Sequence, residues 1–172
     1  METVFSSRKF EIARQTVTGS DGREHVRDFV MHPGAVVTLA LAEDDHCLMV
    51  RQIRPAVGRE FLELPAGTLD VPGEPPQDAA GRELEEETGH RAAKMEWLCD
   101  FYPSPGITSE RISAYVATGL TRTRQRLGPT EQLTAEKMPI GDVLRMIADG
   151  EIQDAKTIIT MLRWAATRGL AV

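Results

Sequence analysis

The spacing of apolar and polar residues divides the chain into a β-rich first two-thirds and a helical end. Residues 3–18 carry alternating and β-branched stretches that stop at Gly19-Ser20-Asp21-Gly22. Asp and Gly tolerate the positive φ of a hairpin turn, so residues 23–32 predict the returning strand, broken by Pro33-Gly34. The nearly continuous apolar run 35–41 is the pattern of a central buried strand. A polar turn, Glu43-Asp44-Asp45-His46, leads to a strand over 47–53, and 61–64 predicts a short one entering Pro65-Ala66-Gly67. A Pro/Gly-rich loop then precedes a helix over about 76–88. Pro76 in its first turn and Gly89 past its end fit the usual asymmetry of helix termini. Strands over 95–101 and 112–118 follow, then a polar, irregular stretch over 121–132. Two helices close the chain, at 140–149, stopped by Gly150, and at 154–167 with Asp154 as N-cap. In the second, Ile158, Met161, Leu162 and Ala165 recur at helical spacing. This order predicts an α+β fold with helices packed on the faces of a mixed sheet.

Composition narrows the function rather than the fold. With 172 residues, 41% hydrophobic and 27% charged, the chain suits one globular domain. A net charge of −6 argues against nucleic acid as partner, since backbone phosphates require a clustered basic face. It suits a small phosphorylated substrate whose charge is screened by metal ions. Cys47 and Cys99 form no disulfide framework and read as buried thiols of a reducing compartment. Without a secretory pattern at Met1-Glu2-Thr3-Val4 or a long apolar run, the expected location is the cytoplasm, with no membrane partner.

The chemistry is concentrated on the mid-chain helix. There Glu83, Glu86 and Glu87 stand at i, i+3 and i+4, so their carboxylates share a face. Three such charges repel one another, and a divalent cation removes the repulsion. Carboxylates without thiol or imidazole select hard ions, Mg²⁺ or Mn²⁺. Arg82, four residues before Glu86, is placed to hold that side chain, while Leu84 and Ala80 face the core. Glu85-Glu86-Glu87 alone would read as a solvated acidic face. The wider pattern of Gly67, Glu74, Arg82, Glu83, Glu86, Glu87 and Gly89 does not.

That pattern resembles the Nudix box, Gly-x5-Glu-x7-Arg-Glu-U-x-Glu-Glu-x-Gly-U, where U is aliphatic. It departs in two places: the Gly67–Glu74 spacing is one residue longer, and His90 fills the last U position. The extra residue falls in a loop, where length costs little. Val50-Arg51-Gln52-Ile53-Arg54-Pro55, Glu63-Leu64-Pro65-Ala66-Gly67 and Ser104-Pro105-Gly106-Ile107-Thr108-Ser109-Glu110 are similar to the ADP-ribose pyrophosphatase branch of that family.

The resemblance implies an α/β/α sandwich and a metal-dependent enzyme that hydrolyses the pyrophosphate of a nucleoside diphosphate sugar. ADP-ribose would give AMP and ribose 5-phosphate. GDP-mannose is the alternative substrate, and a Nudix module that binds nucleotide without cleaving it is the alternative of another class. Two or more Mg²⁺ or Mn²⁺ ions are implied, on Glu83, Glu86, Glu87 and the Ala66 carbonyl. Glu86, Arg82 and Glu131 are the implied catalytic residues. Glu131 lies on the late loop Gly128-Pro129-Thr130-Glu131-Gln132, with Glu136 its weaker rival and a plain surface glutamate its bland reading. Arg54 and Arg27 resemble phosphate-contacting arginines, Arg27 from a partner subunit, and guanidinium groups match phosphate oxygens. Gly106, as a tight turn, and Glu110 are the remaining substrate-side candidates. The branch implies a homodimer with N-terminal strands exchanged, dividing the chain into residues 1–34 and a Nudix domain over 35–172.

Overall fold

The computed structural model describes residues 1–7, 9–43, 45–128 and 132–170. Three strands come first: β1 (Glu2–Ser6), β2 (Glu11–Thr18) and β3 (Glu24–Met31). They form a separate antiparallel sheet, in which Gly22 adopts φ 74° in the turn between β2 and β3. The rest is built from β4 (Ala35–Ala42), β5 (His46–Arg54), β6 (Arg59–Glu63), β7 (Ala66–Thr68), α1 (Pro76–Thr88), β8 (His90–Phe101), β9 (Ile112–Arg122), β10 (Leu133–Pro139), α2 (Ile140–Ala148) and α3 (Ala155–Thr167).

The large sheet runs β10-β5-β4-β9-β8, with β6 added on β5 and β7 on β4. It is mixed as expected: β4 and β9 pair in parallel, and the remaining pairs are antiparallel. Because successive strand residues face opposite sides, β4 serves two cores. Val36 and Ala40 pack with Ala79, Ala80 and Leu84 of α1. Val37 and Leu39 pack with Met161, Trp164 and Ala165 of α3, beside Val143 of α2. The helices therefore cover the two faces of the sheet, the expected α/β/α sandwich. The small sheet is clasped to the large one where the Val30 N–H donates to the Ile107 carbonyl and the Ser109 N–H to the Val30 carbonyl, both at 2.9 Å.

The helix ends follow the sequence. Pro76 opens α1, and Gly89 closes it at φ 66°, its N–H donating to the Glu85 carbonyl at 2.9 Å. The Asp154 carboxylate caps α3 by accepting from the Thr157 N–H at 2.9 Å. Three features differ from expectation. The stretch expected to be irregular ends by entering a full edge strand, β10; β7 forms inside the Pro/Gly loop; and β8 begins at His90, five residues early. Cys47 is buried, and burial pushes its thiol up to about 12, whereas Cys99 is only half-buried. No helix among the described residues is long and apolar enough to cross a membrane.

Candidate active site

The carboxylate face of α1 meets the turn Pro65-Ala66-Gly67, which β4 anchors: the Thr38 N–H donates to the Pro65 carbonyl at 2.9 Å, and Ala66 pairs with Val37. Glu87 is 5% exposed and accepts from the Ala66 N–H at 3.0 Å. Glu83 lies so close beneath Gly67 that a β-carbon there would fall 2.0 Å from its carboxyl carbon. Only glycine lets the turn and the helix approach this far.

Arg82 organises the second side of the helix. Its guanidinium donates to both Glu74 oxygens, at 3.0 and 2.9 Å, and its Nη1 reaches Glu83 at 2.7 Å and Glu86 at 3.3 Å. Pairing with Glu74 first, then Glu83, raises the Arg82 pKa above its ordinary value, and Arg82 holds the Glu74 carboxyl below the usual carboxylate range. The extra residue in the loop therefore leaves Glu74 able to reach Arg82. His90 is half-buried, and its Nδ1–H donates to the Thr88 carbonyl at 2.9 Å.

Glu83 and Glu87, with Ala66, Gly67 and Asp70, share the lining of a cavity of about 690 Å³ with Arg54, Gln52 and Lys9. Arg54 is fixed by Glu63, with Nε to Oε1 at 2.8 Å and Nη2 to Oε2 at 2.5 Å. Burial pushes the Glu63 carboxyl up, but Arg54 and Lys156 outweigh it and hold it below its usual range. A larger cavity, about 980 Å³, opens at the C-terminal end of α1 near Leu41, Thr88, Leu120 and Leu133. It contains none of the three helix glutamates, so size does not locate the chemistry here.

Several expected residues lie apart from the carboxylate cavity. Glu86 is turned toward Arg82 and does not line it. Arg27 is exposed on β3 opposite Gln15, where a single chain gives it no role in the site. Glu110 stands near His32, whose Nδ1 is 3.9 Å away, rather than beside the partners of Arg111. Gly106 sits in a turn, but nothing lies within 4 Å of a β-carbon there and its φ is not positive, so the turn does not demand glycine. Glu136 pairs with Arg51 at 2.7 Å and borders the larger cavity. Glu131 lies outside the described residues. Lys9 and Asp70, unremarked in the sequence, reach the site through the fold.

Among the described residues no three Asp, Glu, His or Cys side chains converge into a cage of their own. The donor set still fits Mg²⁺ or Mn²⁺, because Mg²⁺ is commonly held by one or two carboxylates and completed by substrate phosphates. Glu83 and Glu87 would be those carboxylates, beside a turn, Ala66-Gly67, that also borders the cavity.

A sheet covered on both faces, with a glutamate helix packed under a Pro-Ala-Gly turn, defines a class of hydrolytic domains. The chain belongs to the NUDIX domain family, whose profile matches residues 31–161. It is 35% identical over 158 residues to the ADP-ribose pyrophosphatase of Bacillus subtilis (strain 168), covering 91% of this chain and 85% of that protein. It is 36% identical over 173 residues to the ADP-ribose pyrophosphatase of Mycobacterium tuberculosis, with 99% and 84% covered. The methanol dehydrogenase activator of Bacillus methanolicus is 36% identical over 162 residues, with 93% and 87% covered. Among solved structures, an ADP compounds hydrolase superposes with a TM-score of 0.83 over 99% of this chain and 94% of that one, at 24% identity. That last likeness concerns the fold.

Proposed function

We propose that this chain hydrolyses the pyrophosphate of ADP-ribose, giving AMP and ribose 5-phosphate, with Mg²⁺ or Mn²⁺ as cofactor. The observation that carries the reading is the cavity in which Glu83 and Glu87, seated under Ala66-Gly67, share the walls with Arg54. A pyrophosphate needs both: oxygen donors for its counter-ions and a fixed guanidinium for its own oxygens. When bound, the metal ions would screen the diphosphate and lower the pKa of the attacking water.

The protein's own groups divide the remaining tasks. Glu83 and Glu87 would hold the ions together with the Ala66 carbonyl, and Glu86 would join them by turning from Arg82. Arg82 touches three carboxylates and no cavity wall, so its part is to fix Glu83 and Glu86 rather than to react. Arg54 orients the diphosphate. Water adds to one phosphorus, the opposite phosphate leaves in line, and Glu131 is the residue proposed to take the water's proton. Gly128 and Gln132, which flank its loop, both line the cavity and support that assignment.

The chain is further proposed to act in the cytoplasm as a homodimer, with residues 1–34 as the pairing segment and 35–172 as the catalytic domain. Phe5 and Val26 on the small sheet are 51% and 63% exposed, which suits a covered surface. A dimer would also give Arg27 a site to reach.

GDP-mannose is the second reading, because the GDP-mannose pyrophosphatase of Klebsiella pneumoniae is 29% identical over 183 residues. Phosphorus NMR of the products from ADP-ribose and from GDP-mannose, with wild type and Glu86→Gln, separates the readings. AMP and ribose 5-phosphate from wild type alone support the proposal. Cleavage of GDP-mannose alone would replace the substrate, and cleavage of neither with either metal would overturn the hydrolase reading.

A further inference from the structure

Glu63 is the most buried charged residue among those described, 1% exposed, yet it does not line the carboxylate cavity. Its two oxygens are shared between Arg54, on the cavity side, and Lys156, from the first turn of α3. Lys156 is itself set by Asp154, whose Oδ1 accepts from its Nζ at 2.9 Å. The other Asp154 oxygen caps the helix through the Thr157 N–H and hydroxyl, at 2.9 and 2.6 Å. Thr157 Oγ1 in turn accepts from the Leu64 N–H at 2.9 Å. The first turn of α3 thus grips two adjacent residues, Glu63 and Leu64, directly before Pro65-Ala66-Gly67.

The arrangement has a consequence for Arg54. Its Nε and Nη2 are committed to Glu63, which orients the remaining edge of the guanidinium and leaves Arg54 on the cavity wall. Two cations and two anions make the cluster neutral as a whole. Removing Lys156 leaves one uncompensated negative charge beside the Arg54 site and frees Glu63 to shift. Both effects weaken ground-state attraction for a diphosphate.

We propose that Lys156 is a positioning residue for the active site: through Glu63 it fixes and charge-balances Arg54, so that a helix on the opposite face of the sheet sets phosphate binding. The inference rests on the assignment of the cavity to a nucleoside diphosphate sugar. A merely structural ion pair would lower stability without separating KM from kcat or depending on Arg54.

The test compares wild type with Lys156→Met, Lys156→Arg, Arg54→Ala and the double variant Arg54→Ala/Lys156→Met. Two readouts are used: steady-state hydrolysis of ADP-ribose and the ¹⁵N resonance of the Arg54 Nε–H, identified by its loss in Arg54→Ala. Lys156→Met is expected to raise KM about tenfold with kcat changed less than about twofold, as for loss of one charge-assisted contact. Lys156→Arg recovers most of that rise, and Lys156→Met adds less than about twofold once Arg54 is gone. The Arg54 resonance, protected in wild type, exchanges rapidly in Lys156→Met. Lys156→Gln serves if the Met variant does not fold. An unchanged Arg54 resonance, or an undiminished effect of Lys156→Met in the Arg54→Ala background, overturns the proposal. If wild type cleaves no ADP-ribose, the substrate reading falls and the Arg54 resonance alone decides the positioning role.

Discussion

Gly67→Ala probes the closest approach in the active site. A β-carbon at Gly67 would stand 2.0 Å from the Glu83 carboxyl carbon and 2.4 Å from its Cγ and Oε1. Ordinary contact begins at 3.4 Å, so the carboxyl or the turn must give way by about 1.4 Å, the difference of those two distances. The backbone does not confuse the result, because Gly67 does not occupy the left-handed region. Nor is Glu83 a loose end: it is 13% exposed at the side chain and held by Arg82 at 2.7 Å. Displacing a reacting or ion-holding group by about 1 Å costs on the order of a hundredfold in rate, and overpacking costs about 1–3 kcal/mol in stability. Initial rates of ADP-ribose hydrolysis, read beside thermal unfolding, are expected to fall about a hundredfold while the melting point drops by about 2–4 °C per kcal/mol. Gly106→Ala, with open space around the new carbon, changes neither. A Gly67→Ala protein with near-normal rate and melting point would refute the close-approach argument.

Four further outcomes follow from the same structure. Gly81, inside α1 with open space at its Cβ position, is expected to gain about 0.5–1 kcal/mol when replaced by Ala in a chemical denaturation series. Gly89→Ala loses stability in the same assay, because Gly89 sits at φ 66° with the Gln125 backbone nitrogen 2.9 Å from a β-carbon. Leu84→Ala empties a fully buried position beneath α1 and costs about 2–5 kcal/mol by the same measure. Glu74 and Glu63 have carboxyl groups held below their unfolded values, so their stabilisation is complete above the ordinary carboxylate pKa of about 4.3 and is lost as pH falls through the lower folded values. Denaturation midpoints between neutral pH and pH 3 check that sign; Glu74→Gln should flatten part of the acid slope.

The elements with an apolar rhythm were legible in the sequence, and those without one were not. Run 35–41 had to be a central strand, since no surface position tolerates so many consecutive apolar residues, and it proves to serve both cores. Leu133–Pro139 has no such rhythm because, as an edge strand, it buries only Leu133 fully. β7 is three residues long and exists through pairing with β4, not through its own propensity. For the site, helical spacing placed Glu83 and Glu87 together and set Arg82 to hold Glu86, which it does at 3.3 Å. The bond between Lys156 and Glu63 spans 93 residues of sequence, and only the packing of α3 creates it. Lys9 and Asp70 reach the cavity in the same way.

Under the proposed function, Glu83 and Glu87, beneath the Ala66-Gly67 turn, bind the divalent ions on which hydrolysis depends. The direct measurement is a Mn²⁺ titration followed by electron paramagnetic resonance, on wild type, Glu83→Gln and Glu87→Gln, with ADP-ribose turnover recorded on the same samples. Tight Mn²⁺ binding and turnover are expected to be lost together in both variants while the fold survives. Wild-type turnover in a Glu83→Gln or Glu87→Gln protein that no longer binds Mn²⁺ would contradict that expectation.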